Sequence, residues 1–154
     1  WERHLDPDLF IDRTLKGRVR NKVVVITGGS SGIGLATAQK VAAAGATTVI
    51  VARGEEELFK ARDAMQAAGG KVFAYTADLA DMASCDALVK QVLEAHGHVD
   101  ILVNNAGRSI RRSIEASYDR FHDFERTMQL NYFGSIRLIM GFMPGMTQRR
   151  RGHV

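Results

Sequence analysis

The sequence predicts an α/β fold in which one parallel sheet is covered by helices on both faces. Three observations predict it. From Asn21 onward, apolar runs of strand length alternate with amphipathic stretches of helix length. The first two runs, "KVVVITG" and "TTVIVA", are almost continuously apolar, as strands buried on both faces must be. Each run is separated from the next by enough chain for a helix, so the strands are parallel, joined by right-handed crossovers that lay helices on both sides. The expected architecture is a doubly wound parallel sheet.

The elements follow in order. "KVVVITG" ends in glycine and forms the first strand, and "GLATAQKVAAAG", Gly34 to Gly45, is an Ala-rich helix with Gly45 as its stop. "TTVIVA" is the second strand. In "GEEELFKARDAMQAAGG", Leu58, Ala61 and Met65 share one helical face, acids fill the first turn and glycines end it. "KVFAYTAD" is the third strand. "LADMASCDALVKQVLEAHG" follows as an amphipathic helix that turns Cys85, Leu88, Val89 and Val92 inward, and "HVDILVNNAG" is the fourth strand. Ser113 to Arg151 reads as mainly helical, broken or kinked near Asn131 and Pro144. Gly152 then opens a fifth strand, and a strand starting at the last residues implies a chain that continues past Val154. Residues 1–20 fall outside the alternation and read as an N-terminal arm or interdomain linker, with 21–154 as the α/β domain, incomplete at its C-terminal end. The absence of an initiator Met points the same way.

Composition narrows the function. The chain has 154 residues, 45% hydrophobic and 25% charged, enough for a sizeable core without metal or disulfide support. No apolar stretch approaches the length of a membrane span. The single Cys85 excludes an internal disulfide and fits a reducing, cytoplasmic setting. Much of the +4 charge sits in Arg108, Arg111 and Arg112 and in Arg149, Arg150 and Arg151. Neither group is interleaved with aromatics, which argues against nucleic acid. The second group is explained by the dipole of the helix it ends. His96 and His98 flank Gly97 with no third ligand at metal spacing, so they read as structural, and no metal site is expected.

"TGGSSGIG", Thr27 to Gly34, lies between the first strand and the first helix, where a dinucleotide loop must lie. Gly28 allows the sharp exit from the strand, Gly32 the close approach of a pyrophosphate, and Gly34 the close packing of helix on strand. The amides at the helix start then face an anion favoured by the dipole. No Gly-Lys-Ser/Thr follows, which excludes a Walker loop. The sheet is therefore Rossmann-type, and 21–154 reads as a dinucleotide-binding domain. At the end of the second strand stand Ala52 and Arg53 instead of an acid. A guanidinium there pairs with a ribose 2′-phosphate, aided by the Ser30 and Ser31 hydroxyls, so NADP(H) is expected over NAD(H). The alternative for Arg53 is a solvated loop residue.

"TGGSSGIG", "NNAG" after the fourth strand and "LNYFG" in the next helix together resemble the short-chain dehydrogenase/reductase family. The resemblance implies cofactor contacts from Gly28, Ser30, Ser31, Gly32, Ile33, Gly34, Arg53, Asp78, Leu79, Asn105, Ala106 and Gly107. It implies a catalytic role for Asn131, which holds a backbone kink and a water of the proton relay. Asn104 and Asn105 have a structural alternative, tying neighbouring strands together. The family's catalytic Ser and Tyr-x-x-x-Lys are absent: Tyr75, Tyr118 and Tyr132 are followed four residues on by Leu79, His122 and Ile136. The resemblance thus implies a cofactor-binding half of an NADP(H)-dependent oxidoreductase acting on a small-molecule carbonyl or alcohol, inactive alone. Family members assemble as homo-oligomers through helices.

A narrower resemblance, carried by "RHLDPDLFIDRTL" and "NNAGRSIRRSIEASYDRFHDFERTMQLNYFG", is to the reductase module of bacterial multidomain fatty acyl-CoA reductases. It implies a long-chain acyl-CoA or fatty aldehyde substrate and a task for Arg108, Arg111 and Arg112 at its phosphates, with a solvated basic loop as the alternative. A nucleotide-binding sensing or interaction module without catalysis is the competing function.

Overall fold

The computed structural model describes residues 14–154, so most of the expected arm lies outside the described residues. Its last turn, α1 (Leu15–Val19), is a short helix capped by the Thr14 hydroxyl, which accepts from the Gly17 amide at 3.1 Å. Val19 buries itself against the sheet, so this turn belongs to the packed body.

Four parallel strands, β1 (Val23–Thr27), β2 (Thr47–Ala52), β3 (Lys71–Thr76) and β4 (Ile101–Val103), lie in the order β3-β2-β1-β4. Helices α2 (Gly32–Ala43), α3 (Glu55–Ala67) and α4 (Met82–His96) connect them. All five residues of β1 are buried, and their alternation divides the core. Val23 and Val25 point to one face with Leu88 and Val92 of α4 and Leu138 and Phe142 of the last helix. Val24 and Ile26 point to the other with Ala38 and Val41 of α2 and Leu58 and Met65 of α3. Burying each such aliphatic side chain contributes about 1.5–3 kcal/mol. Two apolar clusters on opposite faces are the doubly wound sheet that the sequence predicts.

Three expectations change in detail. The fourth strand is shorter than "HVDILVNNAG", because after Val103 the backbone turns toward β1: the Asn105 and Ala106 amides donate to Thr27 Oγ1 at 3.0 and 2.9 Å. The segment after Ser113 begins with a single 3-10 turn, Glu115–Ser117, and becomes helical only at α5 (Phe121–Met128). Pro144 does not break α6 (Ser135–Gln148). The carbonyl that loses its partner belongs to Met140, an exposed residue, so the loss falls at the surface and not in the core. The irregularity near Asn131 is present as one π-helical stretch, Gln129–Gly134, that joins α5 to α6.

The end of the described chain is tied down. His153 forms a parallel bridge with Ile101, its amide donating to Asp100 O at 3.0 Å and its carbonyl accepting from Leu102 N at 2.9 Å. The helix-dipole explanation of Arg149 is incomplete. Its guanidinium donates to Asp100 Oδ1 at 2.9 Å and to Val99 O at 2.6 Å, fastening α6 to the sheet. The other Asp100 oxygen accepts from the Val23 amide at 2.9 Å and faces His98 at 3.2 Å. Burial alone would raise the Asp100 carboxyl, but the Val23 amide, Arg149 and His98 outweigh it and leave the group below its ordinary value.

Candidate functional site

The site lies at the carboxyl ends of the strands. Thr27 closes β1 and is almost wholly buried; besides accepting from Asn105 and Ala106, its hydroxyl donates to Val103 O at 3.3 Å. The Asn105 side-chain amide donates to Thr27 O at 2.9 Å. Asn105 therefore ties the β1 and β4 ends together. Its neighbour differs: Asn104 Oδ1 is buried with no hydrogen-bond partner among the described residues.

Gly28 leaves β1 with φ of 68°, and its amide donates back to Val51 O at 2.8 Å, so the chain turns sharply over the end of β2. Gly34, in the first turn of α2, is buried, and a Cβ there would overlap the Gly28 carbonyl oxygen. Ser31 is the N-cap of α2, yet no side chain caps the helix. The first-turn amides at Gly32 and Ile33 thus lack the side-chain acceptor that usually serves them. Ile33 is 78% exposed, beside that open end.

A cleft of about 240 Å³ runs in front of this turn, bordered by Gly28, Ser30, Arg53, Leu79, Ala106 and Gly107. The structure thus brings together six of the residues that the sequence singles out. Ser31, Gly32, Ile33 and Gly34 form the adjoining helix turn, and Asn105 braces it from behind. Asp78 stands outside the cleft's lining. It is exposed, with Oδ1 accepting from Ala80 N at 3.0 Å and its backbone amide donating to Ser84 Oγ at 3.0 Å. Arg53 follows β2, exposed and without a side-chain partner among the described residues. The acids that follow, Glu55 to Glu57, sit in the first turn of α3.

Asn131 lies in the π stretch. Its Oδ1 accepts from Arg108 N at 2.9 Å and its Nδ2 donates to Arg108 O at 2.9 Å. Both ends of the carboxamide are thereby committed to the segment that follows Gly107. Gly134, at the end of the same stretch, allows close contact with the loop after β3: a Cβ there would overlap the Leu79 carbonyl oxygen.

The arginines after Gly107 are not one solvated group. Arg112 Nη1 donates to Asp123 Oδ2 at 2.7 Å, and Arg120 Nε donates to the same oxygen at 3.0 Å. Asp123 is buried on α5; the Arg112 hydrogen bond first, and that of Arg120 with it, outweigh burial and lower its carboxyl to about 2. Arg112 is therefore fixed to the fold, while Arg108 and Arg111 are exposed. Neither Thr27 nor Asp123 stands out in the sequence. A threonine closing an apolar strand before glycine is a weak signal, and Asp123 has none among the charges around it.

The remaining polar candidates are structural. Cys85 is fully buried; burial, helped by Asp86, Asp81 and Asp78, pushes its thiol up to about 11, so it is not a nucleophile at neutral pH. His96 Nε2 lies 3.1 Å from the Tyr75 hydroxyl and packs edge-on against Phe73, with burial and then Lys71 lowering its basicity. No helix among the described residues is long and apolar enough to cross a membrane.

Comparison with known proteins agrees with this geometry. The family model described as short chain dehydrogenase matches residues 22–154. A fatty acyl-CoA reductase of Acinetobacter baylyi is 48% identical over 144 residues, covering 94% of this chain and 49% of that protein. An uncharacterized oxidoreductase of Mycobacterium bovis is 54% identical over 150 residues, covering 96% of this chain and 44% of its own length. Among solved structures, a metagenomic short-chain oxidoreductase in complex with NADP superposes with a TM-score of 0.82 at 33% identity, over 88% of this chain and 61% of that one. L-Sorbose reductase from Gluconobacter frateurii, complexed with NADPH and L-sorbose, gives 0.81 at 37% identity, over 88% and 52%. The chain spans about half the length of the curated relatives it matches. With a family model matching residues 22–154 and a parallel sheet covered by helices on both faces, the chain belongs to the short-chain dehydrogenase family.

Proposed function

We propose that the chain is the cofactor-binding part of an NADP(H)-dependent oxidoreductase that interconverts a carbonyl and an alcohol. One observation carries the cofactor choice. The end of β2 presents an exposed Arg53, unpaired among the described residues, beside the Gly28–Ser30 turn, with Ala52 in place of a carboxylate. A guanidinium there forms charge-assisted hydrogen bonds to a ribose 2′-phosphate, which an acid would repel.

The residues present fit a dinucleotide. The α2 turn offers uncapped amides and a favourable dipole to a pyrophosphate. Gly28 puts no side chain into the approach, Gly34 lets α2 pack close behind it, and Ala106 and Gly107 leave the far wall low. When bound, a nicotinamide cofactor supplies hydride chemistry at its ring C4. The chain's own residues hold and orient. Asp78 and Leu79 bound the adenine side in this reading, and Asn131 is a positioning residue, its carboxamide occupied in fixing the backbone at Arg108.

The narrower reading, a fatty aldehyde or long-chain acyl-CoA as substrate, is supported by the acyl-CoA reductases among its relatives. The test is steady-state turnover by the full-length protein. NADPH oxidation on decanal or palmitoyl-CoA supports the reading, whereas NADPH binding without turnover of either, or of a panel of short ketones, points to a sensing module.

A further inference from the structure

The two ends of the sheet differ in chemistry. The cofactor cleft lies at the carboxyl ends of the strands, and a larger cavity, of about 850 Å³, opens at their amino ends. Three segments line it. Arg18, Arg20 and Lys22 come from the passage between α1 and β1, His98 and Asp100 from the turn between α4 and β4, and Arg151 and His153 from the stretch after α6.

One buried residue draws these segments together. Asp100 accepts from the Val23 amide, next to Lys22, at 2.9 Å, faces His98 at 3.2 Å, and lies 4.0 Å from Arg151 Nε. The backbone that carries the cations is held as well. Asn21 takes the left-handed conformation, with φ of 60°, and its amide donates to Gly45 O at 3.0 Å. The Lys22 amide donates to Val19 O at 3.0 Å, and the His153 amide to Asp100 O at 3.0 Å. The basic side chains therefore project from fixed backbone around a shared recess.

Charge decides what fits there. Arg18, Arg20, Lys22 and Arg151 set four cations against the one carboxylate of the lining, Asp100. That carboxylate is already occupied by the Arg149 guanidinium at 2.9 Å and by the Val23 amide. Arg18, Arg20 and Lys22 are exposed, with no side-chain partner among the described residues. Like charges gathered without a counter-charge repel one another, and an anion seated among them relieves that cost. Guanidinium groups arriving from separate segments suit a tetrahedral, doubly charged phosphate, whose oxygens accept from several directions. A planar carboxylate is satisfied by a single fork. No Phe, Tyr or Trp lines the cavity to stack a base, which disfavours a nucleic acid strand.

We propose that this cavity is an anion site that binds a ligand through a phosphate group of more than one negative charge, at the end of the sheet opposite the cofactor. The proposal does not depend on the oxidoreductase reading. A soluble phosphate ester and a lipid headgroup offer the same chemistry, and the test separates them.

Pyrophosphate is titrated calorimetrically into the full-length protein saturated with NADPH, which fills the α2 turn, at low and at physiological salt. The expected result is binding that weakens with salt and falls at least about tenfold in Arg18→Ala and in Arg151→Ala, with succinate bound far more weakly. Both side chains are exposed, so neither substitution opens the core. Phosphatidic acid vesicles that sediment the protein but not its Arg18→Ala variant identify the phosphate as a headgroup. Pyrophosphate binding without vesicle binding identifies a soluble ligand. Absence of both overturns the proposal, as does succinate binding equal to that of pyrophosphate, or binding that Arg18→Ala and Arg151→Ala leave intact. If the protein binds no NADPH, the titration is run without nucleotide. Loss in Arg18→Ala but not in Arg53→Ala then keeps the anion site and removes the cofactor reading, whereas the reverse overturns the anion site.

Discussion

The carboxamide of Asn131 spans the Arg108 peptide units, accepting from its N–H and donating to its C=O, each at 2.9 Å. Asparagine is locally unfavourable inside a helix. Here a π turn places it, and the two hydrogen bonds offset that cost by fixing the segment that follows Gly107. Replacing Asn131 by Ala removes both bonds, each worth about 0.5–1.5 kcal/mol net. The expected outcome is a fall in kcat with little change in the Kd for NADPH, because the α2 turn is untouched. Parallel turnover and fluorescence titrations check it; an equal loss in both would assign Asn131 to cofactor binding.

Glycines on the same helical run are expected to respond with opposite signs. Alanine at Gly134 meets the Leu79 carbonyl oxygen, which no rotamer change relieves, and should cost about 1–3 kcal/mol. Alanine at Gly145 in α6 meets nothing within 4 Å and should gain about 0.5–1 kcal/mol from helix propensity. Denaturant midpoints of the two variants distinguish them directly.

Acid stability should report the Asp123 cluster. Its carboxyl is lowered to about 2 in the fold, chiefly by Arg112 and then Arg120, against an ordinary value of 3.8. The folded state therefore binds fewer protons than the unfolded state between those values. The stabilisation is complete above about pH 4 and is lost as pH falls toward about 2. Asp100, also lowered, adds stabilisation that is likewise lost in acid. The melting temperature of Asp123→Asn should lie below that of the unaltered protein at pH 6, with the gap closing as the pH approaches 2.5.

No tyrosine in these 154 residues is followed four positions on by a lysine. We expect the chain expressed by itself to catalyse no NADPH-dependent reduction. Adding the isolated chain to decanal and NADPH checks this, and measurable turnover would show that proton transfer here uses a different group.

The sheet and the glycine turn were legible because their signals are local. A parallel strand buried on both faces must be apolar throughout, and β1 and β2 are; a helix buries one face, and Leu58, Ala61 and Met65 mark it. The ties that shape the site are not local. Asp100 reaches Val23 across 77 positions, Thr27 accepts from Asn105 across 78, and neither spacing leaves a pattern. The basic segment after Gly107 hid its division: Arg112 is bound to Asp123, and only the fold shows which arginine is occupied. Pro144 does not end α6, because a lost helical bond matters little where the freed carbonyl belongs to an exposed residue.

The central claim is that Arg53 selects a 2′-phosphorylated cofactor at the Gly28–Ser30 turn. It is tested most directly by titrating the full-length protein and its Arg53→Ala variant with NADPH and NADH. Loss of one charge-assisted contact of about 1.5–3 kcal/mol should weaken NADPH binding by roughly ten- to a hundredfold. NADH binding should stay within about twofold, since it has no group for Arg53 to meet. Equal affinities of the unaltered protein for the two cofactors, or an equal loss of both in the variant, would contradict the assignment.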